Sequence, residues 1–175
     1  MPIAVRTRRP FVVIGVAALL VLAIRTAFAA LAPPLLINTT ASEPVGVYWV
    51  RYRTSVEYTR GMRVVFPVPQ EYQRLVAERG WLAPGAPLIK HIGAVAGDRV
   101  CIQSDRAVIN GAVVGPVSTH DSEGRPLPRF RGCLTVPPGY FLPLSTYIPN
   151  SFDGRYIGIQ PLSAIVGEVI PAWTF

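Results

Sequence analysis

A serine at position 42 and a lysine at position 90 stand out in this chain for the chemistry they could share. Lys90 is the single lysine among seventeen Lys+Arg; the rest are arginine. Arginine stays charged in a protein, whereas a buried lysine can shed its proton near neutral pH. A site that needs a neutral amine therefore accepts lysine and refuses arginine. The bland alternative is one codon that escaped a compositional bias. The surroundings favour chemistry. Residues 88–96 of "GAPLIKHIGAVAGDRV" (85–100) are mostly apolar and read as a strand. Alternation puts Leu88, Lys90 and Ile92 on one face and His91 on the other. Desolvation between two aliphatic residues disfavours the ammonium, as a lysine general base requires. A lysine can also snorkel out of an apolar surface, so the case needs a nucleophile. Ser42, in "NTTASEPVGVYW" (38–49), supplies a candidate for a Ser–Lys dyad.

The elements that must position this pair are mainly β. Strands are expected near 46–52, 62–66, 87–95, 99–103, 106–109, 112–115, 132–136, 139–144 and 164–170. Frequent Pro and Gly, 18 and 15 residues, punctuate them. "VINGAVV" (108–114) signals a hairpin with an Asn-Gly turn. One short surface helix is expected at 69–79, "PQEYQRLVAER", stopped by Gly80. Ser118 to Gly132 form a polar loop.

Ahead of these strands, Arg6, Arg8 and Arg9 precede a mostly apolar stretch from Phe11 to Leu31. A helix of that length spans roughly 30 Å, enough for a bilayer core. Pro10 suits its first turn and Pro33-Pro34 would stop it. Arg25 lies towards its C-terminal end, within reach of headgroups. The basic tail then stays in the cytoplasm and the rest is exported. "AFAA" (27–30) also resembles the cleavage site of a removed signal peptide, and "TRRPFVV" (7–13) a twin-arginine signal. All three readings export the remaining chain. The expected organisation is a cytoplasmic basic tail (1–10), a transmembrane anchor or export signal (11–32) and a β-rich domain (36–175).

Export gives the two cysteines a meaning, because disulfides persist outside the cytoplasm. Cys101 and Cys133 are expected to pair, contributing roughly 3–4 kcal/mol. The only histidines, His91 and His120, lack metal-ligand spacing with the cysteines, so neither metal nor cofactor is expected. The net charge of +7 comes from scattered arginines. Without a basic helix or a basic-aromatic ladder, nucleic acid is not an expected partner.

Three stretches in order carry a resemblance. Thr40, Ser42 and Pro44 resemble a nucleophile box, with the proline shifted by one. Lys90 to Val100, with its Gly97-Asp98 turn, resembles a lysine box. "NSFDGRYIG" (150–158) resembles a C-terminal box. Together they are similar to the signal peptidase I family of membrane-bound serine proteases, and more narrowly to the TraF-type conjugative transfer peptidases that mature pilin precursors. The resemblance implies a membrane-anchored β domain of signal peptidase I type with one N-terminal transmembrane helix. It implies Ser42 as nucleophile and Lys90 as general base, with the Thr40 hydroxyl and Ser42 N–H as oxyanion hole. Ser151 would orient the lysine, and Asp153 with Arg155 would support the site. The implied location is the bacterial inner membrane with a periplasmic catalytic domain. The implied partners are a precursor protein (a propilin), the membrane and conjugation-apparatus proteins.

Glu43, Ala96 and the run Ser145 to Pro149 depart from ordinary leader peptidases, which have Met, Pro and a Gly-Asp-Asn-like run there. These departures favour the conjugative subgroup over a general type I signal peptidase. A non-catalytic envelope component of a secretion or pilus assembly is the rival of another class. It predicts a solvated lysine far from Ser42. Single residues keep plainer readings: Glu43 solvated or near a substrate, His91 structural, Asp153–Arg155 a surface pair, Tyr48 and Trp49 interfacial anchors or parts of a cleft.

Overall fold

The computed structural model describes residues 9–31, 34–52, 57–103 and 105–175. Two units separate at Pro34. The first contains helix α1 (Arg9–Leu31, 23 residues), whose described side chains, residues 13–26, are all exposed. Among the described residues no helix is long and apolar enough to cross a membrane. The anchor over 11–32 therefore stays a sequence expectation, and most of the basic tail (1–8) falls outside the described residues.

The second unit, Leu35–Phe175, is β-rich. Its strands are β1 (Leu35–Asn38), β2 (Gly46–Arg51), β3 (Arg63–Phe66), β4 (Leu88–Ala94), β5 (Arg99–Gln103), β6 (Arg106–Ile109), β7 (Ala112–Pro116), β8 (Gly132–Thr135), β9 (Tyr140–Leu144), β10 (Gln160–Pro161) and β11 (Gly167–Thr174). Helix α2 (Gln70–Glu78) lies between β3 and β4 in the chain, and a single helical turn, α3 (Gly154–Ile157), follows β9. Seven strands form one sheet in the order β1-β2-β11-β3-β4-β9-β10; four form a second, β7-β6-β5-β8. The sequence misses β1, α3 and β10, and its last strand, expected at 164–170, instead runs from Gly167 to Thr174 after a 3-10 turn that ends at Ala164.

β4 lies between β3 and β9, so both its edges are hydrogen-bonded, and most of its residues on either face are buried. Antiparallel pairing sets Lys90 opposite Val64 and His91 opposite Arg63. Val64, Phe66, Leu88 and Ile92 pack on one face with Val76 of α2 and Phe141 of β9. The Phe66 and Phe141 rings meet edge-on at 5.5 Å. Tyr48, Val50, Val65, Ile89 and Val169 form a separate cluster.

The second sheet joins β4 through the turn at Gly97-Asp98. The Asp98 carboxylate accepts from Val95 N and Asn110 Nδ2, both at 2.8 Å, and pairs with Arg60. Asn110 and Gly111 have φ of 50° and 85°, as a tight turn joining β6 and β7 requires. Cys101 and Cys133 are cross-strand partners on β5 and β8 and are bridged.

Candidate active site

β4 delivers Lys90 to a buried position with 2% of its surface exposed. Its Nζ lies 2.7 Å from Ser42 Oγ, in the segment between β1 and β2. Burial lowers the Lys90 pKa from 10.5 to about 8; the Asp153 and Glu43 carboxylates pull it back up, and Arg155 pushes it down. A substantial neutral fraction therefore exists at mildly alkaline pH. Ser42 and Lys90 open on a cleft of about 480 Å³, also lined by Thr40, Ser151 and apolar residues including Val76, Trp81, Leu82, Leu88 and Phe152.

The segment carrying Ser42 is held from several sides. Asn38, at the end of β1, is buried. Its Nδ2 approaches the carbonyls of Thr40, Glu43 and Pro44 at 2.9–3.0 Å. Its Oδ1 accepts from Thr40 N and, at 2.9 Å, from Thr40 Oγ1. Thr40 Oγ1 is 3.4 Å from Ser42 Oγ. Ser145 Oγ donates to the Ser42 carbonyl.

Glu43 is neither solvated nor in the cleft. It is fully buried, with Oε2 2.8 Å from Arg63 Nε and Oε1 2.9 Å from His91 Nδ1. The His91 contact is ion-pair close but off-line for a hydrogen bond. The reason for the burial is the cross-strand pairing of Arg63 with His91, which places two nitrogen donors side by side. Tyr48, too, is buried and is not an interfacial anchor; its hydroxyl donates to Pro44 O at 2.6 Å. Trp49 is exposed.

Asp153 and Arg155 are likewise buried, not a surface pair; Arg155 is 1% exposed. Arg155 Nε and Nη2 reach the two Asp153 oxygens at 2.8 Å. Its remaining donors reach the carbonyls of Pro116, Pro149 and Ser151, so all five N–H groups are used. Asp153 Oδ2 also accepts from Ser145 N at 2.9 Å. A continuous chain thus runs from Arg155 through Asp153 and Ser145 to the Ser42 carbonyl. Gly154 is required here, because a Cβ would sit 2.5 Å from Pro143 O.

Ser42, Lys90, Thr40 and Ser151 are brought to one cleft. Ser151 Oγ is buried without a hydrogen-bond partner, so it does not bond Lys90 in this arrangement. Cys101 and Cys133 do not line the cleft. Sequence reasoning missed Asn38, Arg63 and Ser145, and it misplaced Glu43. The one available signal was Glu43 itself, an acid beside the candidate nucleophile where ordinary leader peptidases have methionine. Among the described residues no cluster of His, Cys, Asp and Glu has the composition of a metal site.

The family model for signal peptidase, peptidase S26, matches residues 7–173. A conjugal transfer protein TraF of Agrobacterium fabrum is 38% identical over 147 residues, covering 79% of this chain and 82% of that one. A plasmid transfer protein TraF of Escherichia coli is 33% identical over 175 residues, covering 94% and 93%. The crystal structure of a signal peptidase I from Enterococcus faecalis V583 aligns with a TM-score of 0.41 at 22% identity, over 66% of this chain and 98% of that one.

Proposed function

The chain belongs to the signal peptidase, peptidase S26, family, and from that premise we propose that it is a membrane-bound serine endopeptidase that processes exported precursors with a Ser42–Lys90 dyad. The observation that carries this reading is the 2.7 Å contact between Ser42 Oγ and a lysine amine whose burial lowers its pKa to about 8. Neutral Lys90 takes the Ser42 proton as Oγ attacks the scissile carbonyl carbon. The Ser42 N–H and the Thr40 hydroxyl, turned from Asn38, stabilise the resulting oxyanion. The lysine then returns its proton to the leaving amine, and a nucleophile releases the acyl group. Asp153 and Arg155 hold the Ser42 carbonyl through Ser145. Ser151 lies at the cleft with a free hydroxyl, able to orient Lys90 once substrate fills the site.

The substrate we assign is a pilin precursor of conjugative transfer, supported by the TraF relatives. The enzyme would sit in the bacterial inner membrane with residues 36–175 in the periplasm. Purified full-length protein incubated with a propilin, with products weighed by mass spectrometry, tests this. Cleavage lost in Ser42→Ala is expected. Retained cleavage refutes the nucleophile assignment, and equal turnover of ordinary secretory precursors points to a general signal peptidase.

A further inference from the structure

Residues 42 and 43 straddle β4. Ser42 meets Lys90 on one face of that strand, and Glu43 meets His91 on the other. Strand alternation makes these two contacts interdependent, because adjacent residues of one segment engage adjacent residues of the strand. Glu43 has no exposed surface and does not line the cleft. Burying a carboxylate is costly unless it is paired; here Oε2 is paired with Arg63 Nε, and Oε1 lies 2.9 Å from His91 Nδ1.

Those neighbours are themselves braced. Arg63 Nη2 donates to Tyr147 Oη at 3.2 Å, its guanidinium lies over the Tyr48 ring, and His91 stacks on Tyr147. Tyr48 closes the circuit by donating to Pro44 O, the residue after Glu43. We infer that Glu43 is a positioning residue: its buried carboxylate, bonded by Arg63 and lying against His91, clamps the nucleophile segment across β4 and holds the Ser42 hydroxyl on the Lys90 amine. The inference rests on the Ser42–Lys90 reading and adds a part to it that touches no substrate.

Lys90 is the single lysine, so full-length protein grown with [13Cε]lysine gives one lysine side-chain signal. Three ionised groups bear on that amine: Asp153, Glu43 and Arg155. Glu43→Gln keeps the size and removes the charge. Glu43→Asp keeps the charge but is one methylene too short to reach both partners. Turnover of a propilin is measured beside the NMR titration, with circular dichroism to count folded protein. Both variants should lose on the order of 10²-fold in kcat with KM near wild type. The Lys90 midpoint should fall further in Glu43→Gln and stay near wild type in Glu43→Asp.

A merely structural Glu43 would lower the folded fraction while leaving kcat per folded molecule in place; that result overturns the inference. Should Glu43→Gln not fold, His91→Ala removes one hold while the carboxylate stays. The same kcat loss is expected there, and wild-type turnover overturns the inference. A wild-type Lys90 that titrates at its ordinary value sinks the dyad and the clamp together. A depressed wild-type midpoint with kcat per folded molecule unchanged in both Glu43 variants sinks the clamp alone.

Discussion

Replacing Lys90 with methionine should give a protein that is inactive and, at neutral pH, more stable. The folded-state pKa of about 8 lies below the ordinary 10.5 that the unfolded chain retains. Below about pH 8 both states hold the proton, and the folded protein bears the full cost of a buried ammonium. Between 8 and 10.5 the unfolded chain holds a proton the folded one has shed, so stability rises with pH. Above 10.5 the cost is gone. At about 1.4 kcal/mol per pH unit, that cost is about 3 kcal/mol at pH 7. Methionine fills a similar volume without charge and forfeits the Ser42 contact, worth ~1 kcal/mol. The variant should gain about 2 kcal/mol at pH 7 and lose about 1 kcal/mol above pH 10.5. Urea unfolding of both full-length proteins, disulfide intact, from pH 7 to 11 gives the difference, which separates Lys90 from the tyrosines. A variant less stable at pH 7, or a difference flat between pH 8 and 10, refutes the reasoning.

Turnover should rise with pH through an apparent pKa near 8 and then level off, because the base must be neutral; Lys90→Arg should be inactive at every pH, and measurable cleavage by it would speak against the base. Arg155→Met should destabilise by about 3–5 kcal/mol, since it strands the buried Asp153 carboxylate; chemical denaturation reads this, and a loss below ~1 kcal/mol would mean the pair behaves as a surface one. Reducing the Cys101–Cys133 bridge should lower stability by roughly 3–4 kcal/mol while sparing low-temperature turnover, because the bridge lies outside the cleft; parallel melting and cleavage assays check both halves.

The sequence makes the middle strands legible because alternation and turn residues are local signals. The Asn110-Gly111 turn and the apolar run of β4 depend on nothing distant. Lys90 could be read as desolvated for the same reason: Leu88 and Ile92 flank it on its own strand. β1 is only four residues long and takes its identity from pairing with β2, and α3 is one turn capped by Asp153; neither has a periodicity to read. The burial of Glu43 depends on the β3–β4 register that puts Arg63 opposite His91. Such a pairing is non-local, so a glutamate beside a loop serine looks solvated. Asp153 and Arg155 look like a surface pair for the same reason. Their burial brings the Pro116 carbonyl, 39 residues away, to the same guanidinium that the Pro149 and Ser151 carbonyls meet.

Lys90 can be observed without interference from any other lysine, and its protonation decides whether it can serve Ser42 as a base. Titrating the [13Cε]lysine signal of the full-length protein therefore tests the dyad most directly. A single inflection near pH 8 is predicted from the burial of the amine against Ser42. An inflection near the ordinary 10.5 would mean a solvated ammonium, and the Ser42–Lys90 pair would then have no base.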